Sequence, residues 1–162
     1  TGEIIPMELV EKIQESDKYG QGFATVEYIA ASLSDMDLHV LTEVPADLNV
    51  MEYETQKLAE RGIPSQILPR YRMTNFSHTM GGGYSAGYYS YMWAEVLDAD
   101  AFSRFKEEGV MNMKVAQSFR ENILSKGDSE HPMTLYLRFR GHKPQVEPLL
   151  ERDGIKTICP HL

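Results

Sequence analysis

A single cysteine, Cys159, occurs in the 162 residues, so the chain can form no internal disulfide and cannot build a cysteine-based zinc site. It reads as a free thiol near a frayed end. Histidine is thinly spread as well: His39, His78, His131, His142 and His161 are scattered, with no i, i+4 pair of the H-E-x-x-H kind and no other close ligand spacing. A self-contained metal site is therefore not expected. No stretch approaches the ~20 apolar residues that span a bilayer, which argues against a membrane role. Basic residues are in deficit, 16 Lys and Arg against 24 Asp and Glu for a formal charge of −8. Without a Lys/Arg cluster there is no phosphate-binding face, which argues against a nucleic-acid partner. Internal repeats, low-complexity tracts and sustained strand-like alternation are missing too.

The length suits one domain with a core, or a piece of a larger one. Thr1-Gly2-Glu3-Ile4-Ile5-Pro6 carries neither an initiator methionine nor a charged-then-apolar signal, so the chain reads as an excised segment of an acidic, soluble protein. A cytoplasmic setting is expected, with the periplasm as the alternative.

What the sequence does contain is helical periodicity. Pro6 followed by Met7 to Ile13, apolar at 9, 10 and 13, marks a first helix that stops near Tyr19-Gly20. Apolar residues between Phe23 and Val40 are too numerous for one narrow stripe, so a helix over 22–42 should be buried around much of its circumference. Within it, Glu27, Asp35, Asp37 and His39 read as solvated or salt-bridged, a buried acid–base pair being the alternative. Residues 50–61 return to helix before Gly62, after which Ile63-Pro64 and Leu68-Pro69 force an extended passage. Further helices are expected over 84–108, from Asn112 or Met113 to Ser125, over 133–139 and over 146–152, each followed by a glycine. His131 reads as a surface residue at a first turn, and the tail from Ile155 has no periodicity. The expected fold class is all-α, about seven helices in a single unit over residues 1–162.

The unusual stretch lies before the longest of these helices. Gly81-Gly82-Gly83 joins a lone histidine, His78, to Tyr84, Tyr88, Tyr89 and Tyr91. Three successive glycines favour a mobile or sharply turned loop, with the helix starting after Gly83. On that helix Tyr84, Tyr88, Tyr91, Glu95 and Asp98 would share one stripe, while Tyr89, Trp93, Val96 and Phe102 would fall largely on another. A phosphate loop is excluded, because 81–91 contains no lysine. Gly83-Tyr84-Ser85-Ala86-Gly87 matches G-x-S-x-G by chance, with no strand before it to form a nucleophile elbow. A third reading makes His78 and the tyrosines half of a site, donors to a developing oxyanion on a loop that closes over substrate. Core packing of all four tyrosines is the alternative. No nucleophile or metal ligand is evident among these groups.

Phe76-Ser77-His78, Gly81-Gly82-Gly83-Tyr84, Ala86-Gly87-Tyr88-Tyr89-Ser90-Tyr91 and Trp93 to Phe102 closely resemble the C-terminal portion of the thimet oligopeptidase and neurolysin family of zinc metallopeptidases. The likeness begins at Gln21-Gly22-Phe23-Ala24-Thr25-Val26-Glu27-Tyr28 and continues through Arg138-Phe139-Arg140-Gly141 and Lys143 to Leu150. These flanking stretches look most like the bacterial peptidyl-dipeptidase branch, which removes dipeptides from peptide C-termini, rather than the oligopeptidase A branch. The resemblance implies a large, almost wholly helical, two-lobed parent with a channel that binds short peptides. It also implies zinc in that parent, held by H-E-x-x-H and a downstream glutamate in a region upstream of Thr1. No zinc is expected in this stretch, which should be inactive alone and would have that upstream region as its partner. By the same resemblance, His78 and Tyr91 are the catalytic residues near the scissile carbonyl, Tyr84 and Tyr88 contact substrate, and the loop of Gly81, Gly82 and Gly83 moves. Tyr89, Trp93 and Glu27 remain structural. Apolar surface freed by the excision would favour a dimer of the fragment. A helical interaction module without catalytic role is the competing reading.

Overall fold

The structure, a computed structural model, describes residues 2–155; Cys159, His161 and the tail after Ile155 lie outside them. Among the described residues all regular structure is helical, as the periodicity requires. The helices are α1 (Met7–Ser16), α2 (Gln21–His39), α3 (Val50–Glu60), α4 (Ser77–Gly81), α5 (Ser90–Glu108), α6 (Met113–Phe119), α7 (Pro132–Arg140) and α8 (Glu147–Arg152). A 3₁₀ turn, Met73–Asn75, precedes α4, and a π-helical turn, Arg120–Leu124, carries α6 on. The eighth helix, absent from the sequence reading, is α4, a single turn too short to leave a periodic signal. The chain divides into two compact units, one ending at Tyr91 and the other starting at Met92.

The first unit is built on α2. Burial is broad, as expected, but it falls on small and polar residues: Ala30, Ala31, Ser32, Ser34, Asp35 and Asp37, while Phe23 and Met36 stay exposed. Small side chains let neighbouring segments approach the helix axis. Asp37 is salt-bridged, accepting from Arg61 through Nε at 2.8 Å and also from Nη2. Asp35 is not solvated and follows the alternative, a buried acid–base pair: its carboxylate is fully buried beside His39 Nδ1 at 2.9 Å and receives two backbone N–H groups.

Helix α3 begins where the Asn49 side chain accepts from the amides of Met51 and Glu52. It ends at Glu60, followed by Arg61 and then Gly62 at φ +77°. Its buried Glu54 accepts from the Met73 amide at 2.8 Å and pairs with Arg72. A carboxylate on α3 thus fixes the end of the proline-rich passage that leads to α4.

In the second unit, Val96, Ala99 and Leu149 form one buried cluster, and Phe105, Phe119 and Phe139 pack edge-on or tilted at 5.1–6.1 Å. Asn112 caps α6 through the Lys114 amide at 3.0 Å. His131 caps α7 and is exposed, its Nδ1 accepting from the Met133 amide. Asp100 is fully buried and accepts from the Tyr136 hydroxyl at 2.5 Å. Burial, and then that hydrogen bond, push the Tyr136 hydroxyl well above the ordinary phenol range. Trp93, assigned a structural role from the sequence, is 53% exposed and lines an apolar cavity of about 520 Å³ with Leu97, Phe119, Ile123, Met133 and Tyr136.

Candidate active site

The site forms between Phe76 and Tyr91, and its anchor is Phe76. That ring is buried against Tyr71 at 5.1 Å and Tyr88 at 4.8 Å, so the one-turn α4 starts from a fixed point and presents His78. Gly81 closes α4 rather than lying in a loop. At Gly82 a Cβ would stand 2.9 Å from the His78 carbonyl oxygen, and Gly83 adopts φ +78°. These two positions require glycine for different reasons, contact at one and backbone angle at the other.

The long helix starts at Ser90, not after Gly83. Between them, residues 84–89 make two turns, with Gly87 N–H donating to Tyr84 O and Ser90 N–H to Gly87 O. The reason lies on α2. Ala86 and Tyr88 donate their amides to Asp35 Oδ1 and Oδ2, both at 3.0 Å, and so are withdrawn from any helical ladder. Ala86 is held at φ +56°, the one non-glycine residue among those described with a positive φ. The Tyr88 carbonyl is held in turn by the Tyr28 hydroxyl. Ser85, the centre of the chance G-x-S-x-G match, donates its hydroxyl to Thr79 O at 2.6 Å.

The three tyrosines therefore share no helical stripe, yet they meet at His78. The imidazole stacks on Tyr84 at 4.8 Å, meets Tyr88 edge-on at 5.6 Å and lies 5.9 Å from Tyr91, while Tyr88 and Tyr91 are 5.7 Å apart. Tyr84 is 60% and Tyr91 51% exposed, and neither hydroxyl makes a hydrogen bond among the described residues. Tyr88 differs: it is 5% exposed, stacked on Tyr28 at 5.0 Å above Ala31. Burial raises its hydroxyl above the usual phenol range, partly opposed by the Arg70 charge. Tyr89 is half-exposed and makes no ring contact with His78.

Sequence reasoning missed Asp35, Glu54 and Tyr28 as supports of this site. Tyr28, Ala31 and Asp35 have the 3–4 spacing of one helix face, and a carboxylate on a face otherwise made of small and aromatic residues was the available signal. Among the described residues no group of three or more His, Cys, Asp or Glu side chains is placed to hold a metal, and no helix is long and apolar enough to cross a membrane.

A family model described as peptidase family M3 matches residues 1–155. The chain is 44% identical over 158 residues to oligopeptidase A of Escherichia coli and 38% identical over 156 residues to the dipeptidyl carboxypeptidase of Salmonella typhimurium. Organellar oligopeptidase A of Arabidopsis thaliana is 36% identical over 160 residues. Each alignment covers 96% of this chain, but only 20–23% of the relative. The chain thus spans less than a quarter of the length of these relatives.

Proposed function

The chain belongs to peptidase family M3, a family of zinc metallopeptidases, and from that premise we propose that residues 76–91 form the peptide-binding, oxyanion-stabilising wall of a peptidase that hydrolyses short peptides. One arrangement carries this reading: His78 in ring contact with Tyr84, Tyr88 and Tyr91, with the Tyr84 and Tyr91 hydroxyls left without partners among the described residues. Phenol and imidazole N–H groups are donors, and donors fixed before reaction stabilise a carbonyl oxygen as it gains charge. Tyr91 and His78 take that role, and Tyr84 with Tyr88 contacts the peptide. Gly82 and Gly83, with Gly81 at the end of α4, let the segment after that helix adjust as substrate enters.

The described residues do not themselves fit the zinc that the family uses, since they present no ligand set. Its ligands would come from elsewhere in the parent, which makes that region the partner of this one. A cytoplasmic setting belongs to the same reading. In the intact parent, Tyr91→Phe should lower kcat by about 10²–10³-fold with little change in KM; undiminished kcat would refute the oxyanion role. Zinc content and peptide cleavage are then compared between this chain alone and the chain extended upstream. About one zinc and activity only in the longer protein support the reading, activity in the short chain contradicts it, and inactivity of both returns the helical interaction module to first place.

Product chemistry has two readings. The flanking sequence favours release of C-terminal dipeptides, whereas 44% identity to an oligopeptidase A against 38% to a dipeptidyl carboxypeptidase favours internal cleavage. Mass spectrometry of the products of an eight-residue peptide blocked at its C-terminus separates them. Cleavage of that peptide excludes strict C-terminal dipeptide release.

A further inference from the structure

The geometry points to Asp35 as a positioning residue for this reaction, one that sets the tyrosine donors by holding the backbone that carries them; the inference rests on the function proposed above. Asp35 lies on α2, more than forty residues before the site in sequence, and is fully buried. Its two carboxylate oxygens each accept one amide, Ala86 N–H on Oδ1 and Tyr88 N–H on Oδ2, both at 3.0 Å. Those two bonds bracket Gly87, which lies between Tyr84 and Tyr91. The Tyr88 peptide is gripped from both sides by the same α2 face, since the Tyr28 hydroxyl donates to its carbonyl. Ala31, between these two residues on α2, is fully buried beside Tyr88 and leaves room for its ring.

Three physical consequences follow from that grip. Ala86 is kept at φ +56°, a conformation that an alanine adopts only when its surroundings over-determine it. The amides of 86 and 88 are denied to a helix, so α5 starts at Ser90 and Tyr91 falls in its first turn. Tyr88 is fixed as the ring against which both His78 and Tyr91 pack. The carboxylate has a neighbour in the His39 imidazole, with Nδ1 at 2.9 Å. No Lys or Arg side chain pairs with it among the described residues. Asp35 touches none of the three site hydroxyls, so it acts through the loop and not on substrate.

Asparagine has the shape of aspartate but only one accepting oxygen, and its NH₂ would face one of the two amide donors. The test compares wild type, Asp35→Asn, Tyr91→Phe and the double variant in the intact zinc-loaded parent. The expected result is a folded Asp35→Asn enzyme with kcat down about 10- to 100-fold and KM within about threefold, because displacement of a donor by ~1 Å costs rate at that scale. In the double variant the two losses should combine to less than their product, since both act on one donor. A folded Asp35→Asn enzyme with wild-type kcat, or losses that multiply, overturns the positioning role while a Tyr91→Phe defect leaves the function proposal intact. Wild-type kcat in Tyr91→Phe overturns both. Should Asp35→Asn not fold, hydrogen exchange of residues 84–90 in the wild-type parent decides. Slow exchange at the amides of Ala86 and Tyr88 supports the grip, and exchange at the rate of an unstructured peptide overturns it.

Discussion

Gly82 and Tyr136 show how much a single side chain decides. A methyl group at Gly82 would meet the His78 carbonyl oxygen at 2.9 Å, a backbone atom that cannot turn aside. Gly82→Ala should therefore destabilise the protein by about 1–3 kcal/mol and displace α4, which carries His78; the melting temperature, and kcat in the proposed parent enzyme, should fall together. Tyr136 has a different signature. Its folded-state hydroxyl is raised by burial and by Asp100, whereas in the unfolded chain a tyrosine titrates near about pH 10. The protonated form belongs to the folded state, so its contribution is whole below about pH 10 and is lost as pH rises through the raised value. Tyr88 adds to the same trend. Thermal stability should fall on the alkaline side, and Tyr136→Phe should flatten that fall, as melting temperatures between neutral pH and pH 11 would show. A slope unchanged by the substitution would refute the assignment.

At the scale of elements, buried carboxylates on two helices hold the irregular segments that build the site. Asp35 on α2 holds 86–88, and Glu54 on α3 holds 72–73, just before the turn that leads to Phe76 and His78. Removing one member of a buried pair leaves the other uncompensated, so Glu54→Ala should cost about 3–5 kcal/mol. Asn49→Ala, on the same helix but only a cap, should cost about 1 kcal/mol. Urea unfolding of the two variants side by side checks the ratio, and equal losses would mean that Glu54 supplies no more than an ordinary polar contact. Helix α1 is the contrasting element: none of its residues is buried, and Met7, Leu9 and Ile13 are all about half-exposed or more. Its periodicity made it legible in the sequence, but nothing among the described residues covers its apolar face.

For the whole molecule, that uncovered surface has a consequence. Ile4, Met7 and Ile13 in the first unit, and Trp93, Phe102 and Met111 in the second, are apolar and exposed, and the chain spans less than a quarter of its relatives. Expressed alone it should self-associate, with a mass above that of one chain in light scattering at micromolar concentration. Adding the upstream region proposed above should suppress that association, and a strictly monomeric chain would contradict the prediction.

The all-helical class, most helix ends and the family followed from the sequence, because apolar periodicity, caps and glycine stops are local, and because several short stretches between Phe76 and Phe102 carry the family resemblance. His78 with Tyr84, Tyr88 and Tyr91 was also legible as a group. Its geometry was not. The expectation of one helical stripe assumed that residues 84–89 continue α5, whereas the amides of Ala86 and Tyr88 go to a carboxylate some fifty positions earlier. Whether a backbone N–H bonds within its own helix or to a distant side chain depends on which partner the fold brings within 3 Å, and no local pattern records that. Burial of Asp35, and the choice of Tyr88 as the ring that is packed while Tyr84 and Tyr91 stay open, were likewise decided by tertiary structure. Hydropathy and spacing do not tell three tyrosines apart, but one of them lies against Ala31 of α2, where only a methyl group stands beside its ring.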